Sequence, residues 1–180
     1  KLIALKEDTE NPEDYSLKEL EVGDSIRFVL GSNVWSEKYV SFSIEELQNS
    51  VPYGIKYDIS RYQNITIPEK FDEDFARLLG YIVSNGYISE INETLIIPSK
   101  KLTECEDIKQ ICKKIFGLET FSEPVFNTNL SRNVTLHNKV FDLLLNTGLA
   151  WIKKIPTQIM QSPKSVVSNF LSAYFSDPKK

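Results

Sequence analysis

Apolar residues return at helical spacing at Phe71, Phe75, Leu78, Leu79 and Ile82, with Asp72, Glu73, Asp74 and Arg77 between them. That spacing predicts an amphipathic helix with one buried face. Its three acids fall in the first turn, where the helix dipole favours negative charge. Gly86 is expected to end this helix in the left-handed conformation that glycine adopts without steric cost. Beyond it, 86–90 and 94–98 alternate as two strands around Ile91-Asn92-Glu93, a hairpin pattern. Apolar positions 102, 105, 108, 111, 112, 115 and 116 then form a second helical stripe, closed by Gly117. Two further strands are expected at 121–127 and 132–137, and a third helix at 138–146, with His137 at its entry. The predicted order from Phe71 is helix, two strands, helix, two strands, helix, an α+β arrangement.

The flanking segments read differently. Residues 1–30 predict two short strands, an apolar one at 2–5 and an alternating one after Val22-Gly23-Asp24, with an acidic, proline-containing loop at 7–15 and a short helical turn at 16–20 between them. Residues 31–70 read as a connector with a Ser43-x-x-Glu46 capping signal for one short helix. The expected domain boundary lies near residue 68, giving a β-rich segment and connector at 1–67 and an α+β domain at 68–180. Near the end, Ser162 is expected to cap a helix with Pro163 in its first turn. One residue inside the first helix stands out. A mid-helix glycine costs about 1 kcal/mol against alanine, so Gly80, with Ser84 one turn on, predicts a smooth face for close packing of another helix.

The run Leu78-Leu79-Gly80-Tyr81-Ile82-Val83-Ser84-Asn85-Gly86-Tyr87-Ile88 resembles the first motif of the LAGLIDADG homing endonucleases, in the version carried by inteins. The motif's metal-binding aspartate falls on Asn85. The stretch Lys153-Lys154-Ile155-Pro156 followed by 162–175 resembles the lead-in to the family's second motif, which places Ala173 on the second interface helix. Where the family continues with an acid, this chain has Ser176-Asp177-Pro178. Leu17-Lys18-Glu19-Leu20-Glu21-Val22-Gly23-Asp24-Ser25-Ile26 is similar to the strand entry after the B block of intein splicing domains.

The resemblance implies an αββαββα half-unit, preceded by a splicing-domain-like segment, that binds double-stranded DNA in the major groove. It also implies Mg-dependent cleavage of both strands through one carboxylate from each motif helix. Asn85 replaces full negative charge with an amide dipole, and Asp177 is the acid left to serve as metal ligand, so impaired cleavage is expected. The implied DNA contacts are Ser89, Asn92, Thr94, Asn127, Asn129, Arg132, Asn133 and Thr135 at base edges. Lys100, Lys101, Lys113, Lys114, Lys153 and Lys154 are the implied phosphate contacts. A complete saddle implies a second half-unit or a second copy of this chain, and a host protein. Splicing itself is not expected from these 180 residues, which carry neither an N-terminal Cys or Ser nor a terminal His-Asn pair.

Charge tempers that picture. The net charge of −4 divides into −5 for residues 1–70 and +1 for residues 71–180, so neither part is the basic footprint of tight DNA binding. A non-enzymatic DNA- or RNA-binding protein on the same scaffold stays open as an alternative, as does an acidic interaction domain. Cys105 and Cys112 lack zinc spacing and read as reduced core thiols. Tyr81 and Tyr87 read as core residues. With no secretory leader pattern and no long apolar run, the expected location is cytoplasmic.

Overall fold

The computed structural model describes residues 2–5, 13–15, 17–19, 21, 25–26, 35–50, 64–89, 94–124, 132–149 and 155–176. The chain divides into two compact units, residues 1–34 and 35–180. In the first, β1 (Leu2–Leu5), β2 (Glu13–Tyr15) and β3 (Ser25–Ile26) form an antiparallel sheet in the order β2-β1-β3. β2 occupies a stretch that the acidic, proline-containing sequence marks as loop. A 3-10 turn at Leu17–Glu19 stands where a short helical turn is expected.

The second unit reaches back to Trp35, well ahead of residue 68, for a packing reason. Phe42 joins Phe71, Phe75 and Phe116 in a cluster with ring centroids 5.3–6.3 Å apart. Backbone bonds from Phe42 to Glu69 and from Phe71 to Val40 hold the two segments side by side. Helix α1 (Ile44–Ser50) follows, its Glu46 N–H donating to Ser43 Oγ. Burying a phenylalanine contributes about 1.5–3 kcal/mol, so the connector belongs to the same core as the helices it precedes.

From there the order is α2 (Glu73–Asn85), β4 (Tyr87–Ser89), β5 (Thr94–Ser99), α3 (Leu102–Phe116), β6 (Phe121–Pro124), β7 (Arg132–Thr135) and α4 (Asn138–Asn146). This is the order that periodicity predicts. Asp72 is the N-cap of α2, accepting from Phe75 N–H at 2.9 Å. His137 caps α4, its Nδ1 accepting from Lys139 N–H. The four strands form an antiparallel sheet in the order β4-β5-β7-β6. Leu95, Ile97 and Val134 point from it into the core, against a helical layer that supplies Leu78, Leu79, Ile108, Leu143 and Leu144. Cys105 and Cys112 are free and buried, and burial pushes the Cys112 thiol up to about 12, which makes it unreactive.

Local details depart from the sequence reading. Gly117 does take the left-handed conformation at φ 70°. Gly86 does not: it is extended, at φ −64° and ψ 143°, because the chain passes directly from α2 into β4. What it supplies there is space, since a Cβ at this position would lie 2.5 Å from the Ile82 carbonyl oxygen. A short helix, α5 (Thr157–Met160), precedes α6 (Lys164–Tyr174). Ser162 does not cap α6. It is buried and donates to the Gln158 carbonyl at 2.7 Å, while Pro163 occupies the cap position. Leu102, on the expected stripe of α3, is exposed at the helix start.

The most extensive packing among the described elements is α2 against α6. A Cβ on Gly80 would clash with the Phe170 carbonyl oxygen and lie 2.9 Å from Ala173 Cβ. Gly80→Ala should therefore lower stability by about 1–3 kcal/mol, against the roughly 1 kcal/mol that alanine gains in helix propensity. Urea unfolding measures this, and an unchanged or raised midpoint would contradict the close approach.

Candidate functional site

Helices α2 and α6 run parallel, and their two ends are built with opposite chemistry. At the N-terminal end, Ser165 Oγ donates to Glu73 Oε1 at 2.6 Å and Tyr39 Oη donates to the same oxygen at 2.8 Å. The Ser165 hydroxyl holds the Glu73 carboxyl below its usual value; burial opposes this and Tyr39 adds to it. The carboxylate thus sits in the first turn of α2 and beside that of α6, where both dipoles are positive. Lys70 lies 4.0 Å from the centre of the Tyr39 ring.

At the C-terminal end a carbonyl that α6 leaves unpaired, and one just beyond its cap, find side-chain donors. Ser84 Oγ donates to the Tyr174 carbonyl at 2.9 Å, and Lys101 Nζ donates to the Ser176 carbonyl at 3.0 Å. Lys101 also pairs with Glu104 at 3.2 Å, and Glu104 Oε2 accepts from Ser99 Oγ at 2.7 Å. Asn85 is the last residue of α2 at this end. Asp177 lies outside the described residues.

A divalent cation such as magnesium takes hard, preferably charged, oxygen ligands. Asn85 offers a neutral amide, and an ammonium already lies at this end. Among the described residues no group of three or more His, Cys, Asp or Glu is placed to hold a metal. The described residues do not fit a magnesium site.

The sheet face turned away from the core carries the other candidate chemistry. Cross-strand register aligns Tyr87, Ile96, Thr135 and Phe121 in one row across all four strands. Phe121 is 71% exposed and Tyr87 46%, so Tyr87 is a surface residue and not core, whereas Tyr81 is buried and donates to Asp107 at 2.8 Å. Side chains alternate along a strand. Ser89, Asn133 and Thr135 therefore belong to this outer face, while Arg132 shares the side of buried Val134 and turns away from it. Thr94 is on the outer face but buried. Glu123 is the one charged residue on this face among the described residues.

Lys113 and Lys114 are committed to ion pairs with Glu119 and Asp74, and each lysine's pKa is raised by its acid partner. Lys100 is exposed beside Lys101. Asn92, Asn127, Asn129, Lys153 and Lys154 lie outside the described residues. Two elements of the site are absent from the sequence reading: the Glu73–Ser165 contact and the apolar row. Both join positions far apart in the chain, and only the alternation of β4, β5, β6 and β7 hints at the second.

The fold and these two ends define an α+β domain built on a close-packed parallel helix pair over an antiparallel sheet. Over 118 aligned residues the chain is 32% identical to a DNA polymerase of Thermococcus litoralis, covering 59% of this chain and 6% of that protein. It is 28% identical over 161 residues to an uncharacterized protein of Methanocaldococcus jannaschii, covering 82% and 19%. It is 27% identical over 125 residues to a subunit of the A-type ATP synthase of Pyrococcus horikoshii, covering 67% and 13%. The chain thus spans less than a fifth of the length of each of these relatives. No protein-family model matches it. Among the described residues no helix is long and apolar enough to cross a membrane.

The lowered Glu73 pKa has a definite sign. Its contribution to stability is fully present above the unfolded value and is lost as pH falls through the lower folded value. Glu73→Gln should therefore be less stable than the parent at neutral pH, and the gap should close on acidification. Unfolding midpoints at pH 7 and about pH 3 measure it, and a gap that widens toward acid would contradict the assignment.

Proposed function

We propose that this chain is the DNA-binding, endonuclease-type module of an intein, built on the LAGLIDADG pattern and impaired in metal-dependent cleavage. One observation carries the reading. A DNA polymerase and an ATP synthase component share no activity by name, yet each resembles this one segment over a small fraction of its own length. Matches covering 59% and 67% of one chain must overlap. A segment that recurs inside unrelated hosts behaves as an insertion, and an intein is an insertion of that kind. The helix and strand order, and the approach of α2 to α6 at Gly80, agree with the motif resemblance.

In this reading the outer sheet face enters the major groove of double-stranded DNA. Ser89, Asn133 and Thr135 offer hydrogen bonds to base edges, and Ile96 with the Thr135 methyl suits the methyl group of thymine. Lys100 meets phosphates, a role the motif resemblance also implies for Lys153 and Lys154. A second half-unit or a second copy of the chain completes the saddle. Asn85 leaves magnesium weakly held, so binding outlasts cutting. Splicing belongs to the host-bearing protein as a whole and is indifferent to this loss.

A second reading, a non-enzymatic DNA- or RNA-binding protein, is favoured by the exposed Tyr87 and Phe121. Aromatic side chains on an open sheet stack unpaired bases, and the neutral-to-acidic face suits duplex phosphates poorly.

Selection from a randomised duplex pool, followed by gel shift of the enriched sequence, tests the proposal. The expected result is retention of a common duplex that weakens steeply with salt and stays uncut in magnesium. Efficient cutting of both strands would overturn the impairment. Retention of single-stranded competitor in preference to duplex would replace the first reading with the second.

A further inference from the structure

We infer that Lys101 is the resident cation of the paired helix ends, a fixed ammonium that takes the place of a bound divalent ion at the C-termini of α2 and α6. Two parallel helices whose backbones approach at Gly80 bring two negative dipole ends to one place. The opposite end is neutralised from within the chain, where the Glu73 carboxylate receives Ser165 at 2.6 Å. The C-terminal end needs positive charge by the same logic. Among the described residues of the two helices and their caps none is positive at this end: Asn85 is neutral, and Ser84 contributes a hydroxyl to the Tyr174 carbonyl.

Lys101 supplies it from another element. It is the residue before α3, and its ammonium reaches the Ser176 carbonyl at 3.0 Å while pairing with Glu104 at 3.2 Å. Glu104 lies in the first turn of α3, where negative charge is favourable in its own right. One lysine therefore joins the carbonyl just beyond the C-cap of α6 to the acid that serves the positive end of α3. A divalent ion would need carboxylates in place of Asn85 and would have to displace or repel the ammonium.

The inference rests on the proposed DNA-module reading only in naming a divalent ion as what the lysine replaces. Thermal melting of the full chain, with Lys101→Met, Lys101→Arg and the double variant Lys101→Met/Asn85→Asp, tests it in manganese up to about 10 mM at constant ionic strength. Lys101→Met is expected to melt about 2–4 °C lower, with Lys101→Arg restoring most of the loss. The double variant should gain a manganese-dependent rise in melting temperature that the parent chain lacks. Parent-like melting of Lys101→Met would overturn the proposal, as would a manganese-dependent rise in the parent equal to that of the double variant. Failure of duplex retention in gel shift, with this melting pattern intact, would remove the DNA reading and leave the lysine's role standing.

Discussion

The second unit depends on the approach of two helix backbones. Gly80 lets α2 come within contact of the Phe170 carbonyl and Ala173 on α6, a spacing that a side chain at that position would prevent. Ser84 bonds the Tyr174 carbonyl one turn further on, and Ser165 bonds Glu73 at the other end, so the pair is fixed at its middle and at both ends. Because the helices are parallel, this packing is also an electrostatic commitment. Like dipole ends are brought together, and each end must carry compensating charge.

That commitment connects the fold to the site. The carboxylate at one end and the ammonium at the other are responses to the same geometry, one contributed by α2 itself and one by the turn before α3. The sheet takes its place from the same pair. β4 leaves α2 through the extended Gly86, and its register with β5 and β7 decides which side chains face outward. The outer face that results is an apolar and aromatic row with hydroxyl and amide neighbours. Among the described residues its one charged side chain is Glu123.

Asn85 stands where the resembled motif has an acid, while the helix pair keeps its close contact at Gly80. The scaffold is under packing constraint at every turn of α2, whereas Asn85 sits at a helix end where an amide and a carboxylate are nearly the same size. An uncharged side chain there leaves the core intact.

The sequence by itself determined the α+β class and the element order from Phe71 to Asn146, because period 3.6 and period 2 are local properties written in apolar positions. It also determined that Gly80 needed a packing partner, since nothing local excuses a mid-helix glycine. The tertiary structure alone decided the rest. It drew Phe42 and its connector into the core, gave Ser162 a buried carbonyl partner in place of a cap, and turned Arg132 to the helix side of the sheet. It exposed Tyr87, and it carried Lys101 to the end of a helix 75 residues away. Each of these depends on which faces meet in space, and a contact between distant positions leaves no periodic trace in the chain.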